Sequence, residues 1–165
     1  MAQILTFSRN KTVRVEKLDE QTLNAYCRLN DTLFEAQVEI KVKLPDLEIL
    51  EAQGEIFRYE GKRGKKKSES LNSAAGIRIG PGLKKILRGK GELNRSAPEL
   101  IGMIEDCCSG VILAFTKEVM LEVPQDKKGE KIYFTNRVKT NIRLYNSCAA
   151  FAPGSPLVEG IEPPE

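Results

Sequence analysis

A chain of 165 residues fits one domain with a real core, held without disulfides or metal. It is 41% hydrophobic and 30% charged, as globular proteins are, and a net charge of +3 gives no case for general nucleic-acid binding. Histidine is absent, which excludes Ser-His-Asp and Cys-His nucleophile pairs and removes the commonest metal ligand and the natural base near neutral pH.

The N-terminal third alternates. Thr12 to Leu18 places Val13 and Val15 on one side. Leu23, Ala25, Cys27 and Leu29 then alternate with Asn24, Tyr26 and Arg28. The clearest run is FEAQVEIKVKL, with Ala36, Val38, Ile40, Val42 and Leu44 facing one way and Glu35, Gln37, Glu39, Lys41 and Lys43 the other. A period of two means strands with one buried and one wet face. LNDTLF reads as a hairpin loop, and Pro45-Asp46 ends the third strand. Leu50, Ala52, Gly54 and Ile56 predict a fourth strand, to about Tyr59. One-sided strands joined by short turns predict an antiparallel sheet.

The basic stretch GKRGKKKSES (61–70) reads as a flexible crossover. A short helix is expected from Glu69 to Ala75, with Ser68 as N-cap and Gly76 as stop. GPGLKKILRG predicts a helix opened by Pro81 and closed by Gly89. SAPE is the strongest helix start, with Ser96 and Glu99 forming a capping box around Pro98. Leu100, Ile104, Cys107, Val111 and Phe115 then follow at steps of three and four, widened by Ile101, Cys108, Ile112 and Val119. This helix is expected to reach about Met120. Phe134, Val138, Ile142 and Tyr145 repeat the helical spacing, and the Pro- and Gly-containing tail reads as extended.

The expected fold is therefore α+β. An N-terminal antiparallel sheet of three to five strands is covered on one face by C-terminal helices, in a single domain over 1–152 followed by an extended tail over 153–165. The expected core includes Val38, Ile40, Val42, Ile56, Leu100, Ile104, Cys107, Val111 and Phe115.

Few residues offer chemistry. Cys107 and Cys108 are adjacent, and neighbours on a helix diverge by about 100°, so they do not converge on one metal. Core packing is the preferred reading for both, and for Cys27. Cys148 lies outside clear periodicity and is the candidate exposed thiol. Lys62, Arg63, Lys65, Lys66 and Lys67 are candidate anion contacts, although no aromatic residues interleave with them to stack bases. GIRIGPG lacks the order of a phosphate-binding loop and reads as a helix entry. Glu105 and Asp106 have no second acid at a convincing spacing.

No catalytic residue, cofactor or metal site is expected. The preferred reading is a non-catalytic binding or accessory domain. Its open partner classes are another protein or a second copy of the chain; nucleic acid is not favoured. The alternatives are a redox, sulfur-transfer or iron–sulfur-related role through Cys148 or Cys107, and nucleic-acid association through 62–67. The first residues form no charged-then-apolar leader and no apolar run nears twenty residues, so a cytoplasmic protein without a membrane partner is expected.

The order of LNDTLFEAQVEIKVKLPDLEILEAQGEIFR, GIRIGPGLKKIL, SAPELIGMIEDCCSGVILA and YNSCAAF resembles a bacterial domain family of unknown function, over residues 10 to 152. Members of that family carry a cysteine before the sheet-to-helix segment and a GCTHL-x-EL-like stretch opening the long helix. The corresponding stretches here are RYEGKRGKKKSES and LNRSAPEL, which keep only Glu99 and Leu100 of the motif's end. The resemblance implies that whatever those positions bind in relatives, this chain has lost that version of the site. The arrangement is also similar to iron–sulfur scaffold and sulfur-acceptor proteins. The four cysteines do not fall at their ligand positions, so this likeness implies a fold and no cofactor.

Overall fold

The computed structural model describes residues 6–163, except 92, 94–97, 123–129 and 147. The expected α+β order is present. Five strands form an antiparallel meander in sequence order: β1 (Arg9–Asp19), β2 (Thr22–Asp31), β3 (Glu35–Lys43), β4 (Glu48–Tyr59) and β5 (Lys62–Ser68). After a 3-10 turn (Glu69–Ala74) come α1 (Leu83–Gly89), α2 (Pro98–Glu122) and α3 (Lys131–Thr140).

The predicted register of β3 holds. Val38, Ile40 and Val42 are fully buried, opposite Cys27, Ala25 and Leu23 of β2. Glu39 and Lys41 lie on the other face, because successive strand residues point to opposite sides. The predicted register of β4 is off by one at its start. Val42 pairs with Ile49 and Lys41 with Glu51, so Leu50 is the extra residue of a bulge. Ile49 is therefore buried, and Leu50 is 45% exposed rather than inward.

The expected crossover at 61–70 is instead β5. It forms because Tyr59 and Lys62 are joined by a two-residue turn at Glu60-Gly61, both at positive φ (49° and 77°). That geometry matches the twist of the flanking strands, and it outweighs the weak strand preference of lysine. At the β2–β3 turn, Asp31 Oδ1 accepts from the backbone N–H of Leu33 (2.8 Å) and Phe34 (2.6 Å), and Oδ2 from Arg9 (2.6 and 2.9 Å). Burial pushes the Asp31 carboxyl up, but these bonds outweigh it and hold it below its ordinary value.

The chain divides into two compact units, 1–115 and 116–165. In the first, α2 lies on the inward face of the sheet. Leu100, Ile104, Cys107 and Val111 are fully buried, with Ile101, Met103 and Cys108 nearly so, while Phe115 packs at the edge of this core. Ile112 departs from the expectation and is 42% exposed. The Val119 side chain and the capping residue Ser96 lie outside the described residues. Leu71 and Ala74 of the 3-10 turn, then Ile77, Ile79 and Leu87, close the same core. Ser68 does not cap that turn through its side chain; its Oγ meets Ser70 Oγ at 3.1 Å. Pro81 precedes α1 by two residues, and Gly82 (φ 80°) takes the N-cap.

In the second unit α3 ends at Thr140, short of the expected stripe. Its last turn is followed by Asn141 in a non-helical conformation (φ −134°), and Ile142–Leu144 form a separate 3-10 turn with Ile142 exposed. Further 3-10 turns lie at Ala149–Phe151 and Pro156–Val158. Val138 and Val158 are buried, and Lys131 pairs with Glu159 at 2.9 Å.

Small residues interrupt the layer between α2 and the sheet. Ala25, Cys27, Ala36, Ala52 and Gly54 face it from the strands, and Cys107 and Gly110 from the helix. A Cβ at Gly110 would lie 2.6 Å from Val13 Cγ1 and 3.2 Å from Val15 Cγ2. A Cβ at Gly54 would collide with the Leu71 and Leu100 side chains, both fully buried. Gly54→Ala is therefore expected to lower unfolding stability by about 1–3 kcal/mol through overpacking. Gly102→Ala, on the exposed side of the same helix with nothing within 4 Å, should raise it by about 0.5–1 kcal/mol. Urea melts of the two variants check this pair. A neutral Gly54→Ala would mean that Leu71 of the 3-10 turn and Leu100 of α2 do not pack this tightly over β4.

Candidate binding face

The residues singled out in the sequence do not converge. Lys62, Arg63, Lys65, Lys66 and Lys67 are spread along β5, an edge strand, with exposed side chains. Lys65 pairs with Glu55 at 3.1 Å. Lysine on an edge strand also discourages pairing with a foreign strand, which accounts for the run without a ligand. The GIRIGPG segment leads into α1 as expected, with Ile77 and Ile79 buried and the Arg78 backbone in an isolated antiparallel β-bridge with Glu48. Glu105 and Asp106 take separate basic partners, Arg88 (3.1 Å) and Lys11 (2.7 Å).

The cysteines separate into two classes. Cys148 is exposed at the start of a 3-10 turn. Cys27, Cys107 and Cys108 are buried. Cys107 and Cys108 diverge as helical neighbours must, but Cys107 meets Cys27 across the seam, and its thiol also points to the Val38 carbonyl at 4.0 Å. Sequence reading missed this contact because it joins a strand to a helix eighty positions later. The hydrogen bond with Cys27, reinforced by burial, holds Cys107 far above the ordinary thiol range, and burial pushes Cys108 up to about 12. These groups stay protonated and are poor nucleophiles or metal ligands.

The other face of the sheet has more to offer. Among the described residues, no element of the first unit covers it. Its polar side chains form chains of contacts across the strands. Arg14 stacks on the Tyr26 ring (Cζ 4.6 Å from the centroid) and Arg28 on the Phe57 ring (5.2 Å). Asn24 donates to Tyr26 Oη and to Glu39 (2.7 Å), and Gln53 donates to Glu39 from the opposite side (3.1 Å). Asn24 is nearly buried and its Oδ1 has no partner. Burial and the Glu39 carboxylate push the Tyr26 phenol above its ordinary range, so it remains a donor.

This face is divided by charge. Over β1–β3 lies a shallow groove of about 450 Å³, lined by Asn10, Thr12, Arg14, Tyr26, Arg28, Asn30 and Gln37, with no carboxylate among them. Over β3–β5 lies a wider depression of about 730 Å³ that mixes Glu39, Glu51, Glu55 and Glu69 with Lys65 and Lys67. The residues of the first groove were visible in the sequence as the outward half of each alternating strand. Only the register joins them: Asn10 faces Asn30, Thr12 faces Arg28, Arg14 faces Tyr26, and Arg28 faces Gln37.

Comparison with known protein families, curated proteins and solved structures finds no match. Among the described residues no three acidic, cysteine or histidine side chains are grouped to hold a metal ion, and no helix is long and apolar enough to cross a membrane.

Two outcomes follow from the cysteines. A thiol reagent should label Cys148 in the native protein, with Cys27, Cys107 and Cys108 protected until denaturant unfolds the chain; mass spectrometry of the labelled peptides reads this. Rapid native labelling of Cys107 and Cys108 together would contradict the packing. The second outcome concerns pH. Above the unfolded-state thiol pKa of about 8.5–9, the unfolded chain loses the Cys108 proton while the folded chain keeps it. Stability is thus full below that range and falls as pH rises, by up to about 1.4 kcal/mol per pH unit for this thiol. Urea midpoints under reducing conditions should drop from about pH 8 to about pH 10. Cys108→Ala should lessen the drop, with the share due to Cys107 remaining, and an unchanged slope would refute the assignment.

Proposed function

We propose that this chain is a non-catalytic binding domain whose working surface is the open face of the sheet. The observation that carries the reading is the division of labour between the two faces. One packs against α2 through the apolar core, and the other presents stacked arginines, carboxamides and a phenol. Such groups hold a partner by hydrogen bonding and stacking but cannot divide a proton-transfer or nucleophilic reaction among themselves. The redox or sulfur-transfer alternative needs a thiolate in contact with solvent, and the burial of Cys27, Cys107 and Cys108 leaves only Cys148 for it.

The test places a photo-crosslinking side chain at Thr12 on the open face, or at Gly102 on the outer side of α2, in cells. A discrete adduct is expected from position 12 and not from position 102, and Arg28→Glu in the same chain should abolish it. Equal yields from both positions would refute the reading. So would a stoichiometric metal or a cluster absorbance in anaerobically purified protein.

A further inference from the structure

We propose that the β1–β3 groove binds a short segment of single-stranded nucleic acid, with a phosphate seated between Arg14 and Arg28 and a base stacked on their guanidinium planes. The proposal rests on the open-face reading and names its ligand class.

Charge sets the sign of the ligand. Arg14 and Arg28 are diagonal neighbours across β1 and β2, a spacing of about 7–8 Å that long side chains easily close. Each is gripped on one side by a carboxylate outside the groove lining, Arg14 Nε by Glu16 (3.0 Å) and Arg28 Nη2 by Glu35 (2.6 Å). The two terminal nitrogens of Arg14 and the Nε of Arg28 make no hydrogen bond among the described residues. Those free donors are what a phosphate takes up.

Stacking sets the class. Both guanidiniums already lie over aromatic rings, so little freedom is lost on binding, and their outer planes are flat surfaces on which a base can stack. Asn10 and Gln37 add carboxamides, each with a donor and an acceptor, the pairing that base edges require. An isolated phosphate needs no such groups, and a duplex hides the base faces and edges that the groove is equipped to meet.

The acidic residues set the size. Glu39, Glu51 and Glu55 occupy the adjoining depression and repel a backbone that continues past β3. Strands are spaced about 4.8 Å apart, so a segment crossing three of them spans about two or three nucleotides. The cation pair neutralises about two phosphates, which for a single strand gives a slope of log K against log salt of about −1.4.

The experiment is fluorescence anisotropy of the full chain with labelled mixed-sequence RNA and DNA octamers at low salt. Saturable binding with that shallow slope is expected. Arg14→Ala and Arg28→Ala should each weaken it about tenfold or more. Arg28→Lys should keep the salt slope yet lose affinity, because an ammonium does not stack as a guanidinium does. Lys62→Ala/Lys66→Ala on β5 should leave binding unchanged, and circular dichroism confirms that every variant is folded. Absence of saturable binding overturns the proposal, as does equal affinity for duplex, or loss in the lysine variant but not in the arginine variants. If the octamers fail while the position-12 crosslink still captures a protein, the ligand class falls and the open-face reading stands. If both are silent, the reading itself falls.

Discussion

The close approach of α2 to the sheet is the constraint on which the rest depends. The part of α2 up to Phe115 can lie this near to the strands where small side chains face it. Gly54 and Gly110 have no room for a Cβ, and one register row links them, Gly54, Val38, Cys27 and Val13, with Cys107 against Cys27. Ile40 and Val42 from the sheet and Leu100, Ile104 and Val111 from the helix complete this buried layer. Interiors are packed at crystal-like density, so the small residues of one layer and the large residues of the other determine each other.

That seam also answers why two cysteines stand side by side in α2. A thiol is larger than a methyl, polarizable, and makes only weak hydrogen-bond demands. Cys107 fits beneath the helix against Cys27 and the Val38 carbonyl, where a hydroxyl would need a partner and a longer apolar chain would lift the helix off the sheet. Cys108, turned away from that contact, fills the flank. With one face packed under α2, most polar residues of β1–β4 lie on the other, where Arg14, Tyr26, Asn24, Glu39, Gln53 and Arg28 order one another by stacking and hydrogen bonding.

Much of this was legible in the sequence, for identifiable reasons. The β3 pattern has no interruption, so its period is unambiguous, and the α2 stripe persists from Leu100 to Val111. The failures also have causes. A bulge is a single-residue defect that alternation cannot reveal, which is why Leu50 and Ile49 exchange roles. The β5 strand has lysine and glycine where a strand pattern is sought; its conformation is imposed by β4 and by the Glu60-Gly61 turn. The groove was the least visible feature. Arg14, Tyr26, Arg28 and Gln37 each read as an ordinary solvent-facing residue, and only the antiparallel register brings them together.

The central claim is that the two faces of one sheet have separate tasks, one for holding the fold and the other for holding a ligand. Nitrogen-15 resonance mapping of the full chain during titration with a single-stranded octamer tests it most directly. The account predicts shifts in the Arg14 and Arg28 side chains and in the carboxamides of Asn10 and Gln37, with the amides of α2 and β5 unmoved. Shifts centred on Lys62–Lys67, or spread through α2 and the buried seam, would contradict it.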